Sequence, residues 1–115
     1  MTVEADLMAA VTPILPRFYP DVAPAGTARP YGVFQQVGGY VVNPMANAVP
    51  GVRNARVQVI VWADTRLESN TLMRQIEDAI RPSPLLGQPV SALAAMLDDE
   101  TRLRGAMQDF LIWHT

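Results

Sequence analysis

Between Val57 and Ala63 the chain alternates strictly. Val57, Val59, Val61 and Ala63 share one parity and Gln58, Ile60 and Trp62 the other, the period-two pattern of a β-strand. The second parity is itself largely apolar, so the strand is expected to be central in its sheet or to meet a partner on one face. From Thr65 the period changes. Thr65-Arg66-Leu67-Glu68 fits a capping box, in which the threonine oxygen accepts from a first-turn amide and the glutamate reaches back to the threonine N–H. Leu67, Leu72, Met73, Ile76, Ala79 and Ile80 then recur at helical spacing, predicting a helix to Arg81 that Pro82 ends. A second helix is predicted at the start of the chain, where Val3, Leu7, Met8 and Val11 recur, extended towards Ile14 and Leu15. Thr2 is its N-cap. Glu4 and Asp6 stand in the first turn, where the helix dipole favours them, and Pro13 and Pro16 should stop it near Thr12.

The remaining segments are less regular. Arg17 to Pro30 reads as a proline-rich connector without a sustained period, whose Phe18 and Tyr19 should pack over the sheet. Tyr31 to Val37 predicts a strand, broken at Gly38-Gly39 by a tight turn or bulge, after which Tyr40-Val41-Val42 resumes briefly. Asn43 to Asn54 is a polar, proline-bearing loop, expected to be mobile alone and to order at a partner surface. "PSPLLGQP" is a loop. "VSALAAMLDDETRLRG" suits either element: Val90, Leu93, Ala94 and Leu97 fit a helix, whereas Val90, Ala92, Ala94 and Met96 fit a strand. The final run predicts a strand with Phe110 and Ile112 on one face and Leu111 and Trp113 on the other, with Gly105 marking a bulge before it. The order predicts an α+β fold: a mixed, mainly antiparallel sheet with two helices packed mainly on one face.

Composition narrows the class. At 115 residues the chain is expected to form a single domain over residues 1–115, and 50% hydrophobic with 17% charged residues suits a compact fold. A net charge of -2 gives no electrostatic footprint for nucleic acid. All nine basic residues are arginine, which suits interfaces but first of all suits a GC-rich genome. Without cysteine there is no disulfide or thiolate chemistry. Acidic rather than basic residues open the chain, and no apolar run approaches the ~18 residues of a membrane span. A cytoplasmic place of synthesis and residence is therefore expected.

Candidate chemistry is sparse. His114 is the lone histidine, so no metal-ligand set forms around it. Asp98, Asp99 and Glu100 lack the spaced oxygens and turning glycine of a calcium loop and read as a solvated hairpin turn. Ser69, Ser83 and Ser91 lack a nucleophile elbow and read as cap or loop serines. Gly38-Gly39 is no phosphate loop, since no lysine exists to complete one. Trp62 and Trp113 read as core or interface anchors rather than base-stacking platforms. No catalytic, cofactor-binding or metal residues are expected. The rival reading is a small α+β enzyme or ligand-binding module with its site beneath the proline-rich connector. An ordinary dimeric metabolic protein is a third.

"RPYGVFQ" (Arg29 to Gln35), "VQVIVWADT" (Val57 to Thr65) running into a helix with "IEDAI", and the closing "DFLIW" (Asp109 to Trp113) together resemble the tail completion proteins of long-tailed bacteriophages and prophages. That family includes tail-to-head joining and tail terminator proteins. Pro30-Tyr31 matches the start of its first strand, Val57, Val59 and Trp62-Ala63 its central strand, Thr65 its helix cap, and Phe110 and Trp113 its last strand. The resemblance implies that the ambiguous segment is half of a hairpin. It also implies a structural protein that caps the head-proximal end of the tail tube and joins tail to head. The expected partners are further copies of the chain in a ring, typically six-fold, the tail tube protein and the head–tail connector protein. Its expected places are the host cytoplasm during assembly and the neck of the virion tail. The residues expected at these contacts are Asn43, Asn47, Arg53, Arg56, Trp62, Asp98, Asp99, Arg102 and Arg104.

Overall fold

A computed structural model describes residues 2–41, 43, 51–82 and 85–114. The order is α1 (Val3–Val11), β1 (Phe18–Pro20), β2 (Tyr31–Gly38), β3 (Arg53–Ala63), α2 (Arg66–Ile80), β4 (Gln88–Pro89), β5 (Ala94–Leu97) and β6 (Arg104–His114). The strands form one sheet in the order β1-β2-β3-β6-β4, with β5 also pairing β6. Only β1 and β2 run parallel; every other pair is antiparallel. This is the mainly antiparallel α+β sheet that the pattern predicts.

Burial follows the alternation. Val57, Val59, Val61 and Ala63 are buried on the helix-bearing face of the sheet, with Ala106, Phe110 and Ile112 of β6. Leu7 and Val11 of α1 and Met73, Ile76 and Ile80 of α2 complete the core. The opposite face carries Tyr31, Val33, Ile60, Trp62, Met107 and Leu111, all half-buried. Both helix starts carry the threonine cap that the sequence suggests. The Thr2 hydroxyl accepts from the Ala5 N–H at 3.1 Å and the Thr65 hydroxyl from the Glu68 N–H at 3.2 Å, and α1 ends on Thr12 and α2 on Arg81.

Several expectations need correction. The connector holds a strand: Phe18 lies in β1, paired with Gly32 and stacked on Phe34 at 4.8 Å between ring centroids. Three residues cannot display a period, so pattern alone misses them. β3 begins at Arg53, so Arg53 and Asn54 belong to the ladder rather than to the loop; residues 44–50 of that loop lie outside the described residues. Tyr40 and Val41 are in no strand. Instead the Tyr40 N–H donates to Asn54 Oδ1 at 2.9 Å. Leu67 is not in the core stripe but 79% exposed. In its place Ser69 is buried inside the first turns of α2, satisfied by donating to the Arg66 carbonyl at 3.0 Å; it is neither cap nor loop serine.

The "PSPLLGQP" loop contains the short β4, and Leu85 within it is buried. Gly105 marks no bulge, because the β3–β6 register runs unbroken from Arg53↔His114 to Ala63↔Arg104. The irregularity lies at the other glycines: the β2–β3 register shifts between Gln36 and Gly38. Gly39 has φ +140, and a Cβ there would stand 2.4 Å from the Asn54 carbonyl oxygen, so only glycine fits the close approach.

Candidate functional site

The residues expected at contacts divide between the two ends of the sheet. β3 runs 11 residues from Arg53 to Ala63, a span of about 34 Å at roughly 3.4 Å per residue. One end holds Arg53, which is exposed and opposite His114 on β6; Asn43 is also exposed. Asn47 lies outside the described residues. The other end holds Trp62 and the β5–β6 hairpin with Asp98, Asp99, Arg102 and Arg104. The molecule is long in keeping with this, 52 × 26 × 26 Å.

At the hairpin end the chain orders its own turn. Asp98 Oδ1 accepts from the Glu100 N–H at 3.1 Å, the Arg102 N–H donates to the Asp98 carbonyl at 2.8 Å, and Arg102 takes a left-handed φ of 60. The hydrogen bond from the Thr101 side chain, then that from the Glu100 amide, hold the Asp98 carboxyl below its ordinary pKa. The carboxylates are thus spread around a turn. Among the described residues no group of histidine, cysteine and acidic side chains could hold a metal ion. Arg104 Nη1 donates to the Arg102 carbonyl at 3.4 Å.

Arg56 is placed differently. Its Nε and Nη2 both lie 2.8 Å from Asp109 Oδ2 across β3 and β6. The side chain is bound within its own chain on the open sheet face, and Asp109 is the residue that pattern reading missed. No spacing rule could have found it, since the pair is 53 positions apart. Trp62 lies flat on the sheet beside Gly105, where an added Cβ would come within 2.8 Å of its ring. The missing side chain is what lets the indole lie across the neighbouring strand.

Trp62, Tyr31 and Val33 line a cleft of about 750 Å³ between the connector residues 21–29 and the base of the hairpin at Thr101 and Leu103. This is where an enzyme or ligand-binding reading places its site. Of the charged groups lining it, Arg29 and Asp64 pair with each other at 3.2 Å, both about half-exposed, and the third is Asp21. The connector is clamped by Arg17, whose Nε donates to the carbonyls of Ala28 at 2.8 Å and Pro30 at 3.0 Å. Of the predicted loop serines, Ser91 is exposed and its carbonyl accepts from the buried Gln108 amide at 2.8 Å, while Ser83 lies outside the described residues.

Among the described residues no helix is long and apolar enough to cross a membrane. The chain matches the family model described as Tail completion protein gp17 over residues 2–115. No curated protein matches it.

Proposed function

The chain belongs to the Tail completion protein gp17 family, which makes it a phage tail completion protein, and on that premise we propose that it closes the head-proximal end of the tail tube as a ring and joins the tail to the head. In this reading residues 1–115 act as one structural domain without turnover. Six copies surround the tube's axis, with the strands tilted to that axis. One end of each sheet meets the tail tube protein and the other the head–tail connector protein. The protein works in the host cytoplasm during assembly and stays in the neck of the virion.

The observation that supports this reading is that the polar residues expected at contacts fall at two ends of the sheet about 34 Å apart. Arg53 stands at one end and the Asp98–Arg102 turn at the other. A ring that stops polymerisation on one side and docks a second assembly on the other needs two such surfaces. The test is complementation of a phage lacking its own copy, with tails measured by electron microscopy. The expected result is irregular tails without heads when the gene is deleted, and regular tails with heads when it is restored. Regular, joined tails from the deletion would overturn the proposal.

A further inference from the structure

The sheet has two edges left partly open: β5, and β2 beyond Phe34, where the β2–β3 register shifts between Gln36 and Gly38. At one edge β5 pairs only with β6 among the described residues. Asp98 N–H donates to the Leu103 carbonyl at 3.1 Å. In an antiparallel ladder bonded and non-bonded pairs alternate, so Met96 and Ala94 bond to β6, while the N–H and C=O of Ala95 and Leu97 point away from it. Native edges are usually blunted by charge, lysine, proline or a bulge. β5 is Ala94-Ala95-Met96-Leu97 and carries none of them.

At the other edge β1 covers β2 only as far as Phe34. Gly32 N–H donates to the Arg17 carbonyl, and Asp21 N–H to the Phe34 carbonyl, which ends the pairing. Asp21 then turns away with φ 62, and the connector crosses to the open face of the sheet, where it walls the cleft. By the same alternation Gln36 presents its N–H and C=O outward. Gln35 to Gly38 are all exposed.

We propose that β5 of one copy pairs with the Gln36–Gly38 stretch of the next, so that the ring closes by continuing the sheet from copy to copy. This rests on the ring reading given above. Direction and facing both agree. β2, β3, β6 and β5 are successively antiparallel, so β5 runs opposite to β2. Through Ala106 and Val61, Ala95 stands level with Gly32, four positions from Gln36, so the two edges meet only if the strands are tilted to the ring axis; a neighbour so related offers its β2 edge antiparallel to this β5. Ala95, partnered by Ala106, and Gln36, partnered by Val57, lie on the same helix-bearing face, as residues paired across one continuous sheet must. The contact is heterologous, the kind that forms a ring when its rotation closes.

The chain has no cysteine, so introduced thiols are its only ones. Gln36→Cys combined with Ala95→Cys, treated with a short bismaleimide on assembled tails, should give a ladder of linked copies ending at the ring number. Each single variant should stay monomeric on a denaturing gel. Ala95→Pro removes only an outward N–H, so it should keep the circular dichroism of the parent and lose the ring. Rings of wild-type protein without a ladder, or rings formed by folded Ala95→Pro, would overturn the edge pairing and leave the ring reading standing. Dimers from Ala95→Cys alone would replace it with a two-fold β5–β5 contact. Wild-type tails that end without any ring would overturn the ring reading itself.

Discussion

Gly105 and Trp62 form a matched pair: one strand gives up a side chain and the next lays an indole across the space. Gly105→Ala places a Cβ within 2.8–2.9 Å of the Trp62 ring carbons, closer than packed atoms tolerate. Trp62 borders an open cleft and can swing aside, so the cost should lie low in the overpacking range, about 1–2 kcal/mol. In a Trp113→Phe background, denaturant unfolding should show that loss with a red-shifted Trp62 emission; an unchanged emission would mean that the indole lies elsewhere. Asp98 makes a second, pH-dependent prediction. Its folded pKa is depressed by the Thr101 and Glu100 hydrogen bonds, so the stabilisation of the turn is present above the unfolded carboxylate pKa, near about 4. It is lost as pH falls through the lower folded value. The Glu100 amide resonance should titrate with a midpoint below that of a free aspartate, and Asp98→Asn should abolish that titration. The patterning of Val57 to Ala63 made this level partly legible. Gly105 was misread because glycine in a strand signals either a bulge or a close approach, and only the register tells which.

Elements with a period of their own were legible, and those defined by a partner were not. α1, α2, β3 and β6 each carry several repeats of one spacing, and their caps are local, so sequence sufficed. β1 and β4 are three and two residues long and exist because β2 and β6 offer them ladders; nothing within "FYP" or "QP" encodes that. Leu67 shows the converse. It fits the helical stripe by spacing, yet it is exposed, and the small Ser69 takes the buried position. The connector between β1 and β2 is likewise held from outside, by Arg17 and by the Asp64 partner of its Arg29. Arg17 Nε bonds to Ala28 and Pro30 together, and these bonds fix the strap that walls the cleft. Arg17→Met keeps the aliphatic stem and removes the donor. The expected result is faster amide exchange across residues 21–29 with a modest global loss of about 1–2 kcal/mol. Exchange that stays at the parent rate would show that the Arg17 bonds do not hold the connector.

At the scale of the whole molecule, sequence yields a set of expected contact residues but not their arrangement. Loops and charge runs point to surfaces, yet only the β3–β6 register separates Arg53 from Asp98 and Arg102 by the length of the sheet. Arg56 stands with Arg53 among the residues expected at contacts from sequence, and the structure pairs it with Asp109 inside its own chain. The arrangement makes assembly separable from folding. Val59 is fully buried, so Val59→Asp puts a carboxylate into the core and should cost several kcal/mol, out of a typical stability of about 5–15. Arg53 is exposed at the strand's first position, so Arg53→Glu should leave the unfolding midpoint within about 0.5 kcal/mol of the parent. Reversing its charge should instead make a favourable contact with the next assembly repulsive. Its effect is confined to one end of the sheet, whereas a charge reversal at Arg102 acts at the other. Complementation scored separately for tail length and for heads attached should therefore give two phenotypes, one variant losing length control and the other losing heads. If both folded variants lose the same function, the two ends do not face different partners. If neither loses any, the contacts lie elsewhere on the molecule.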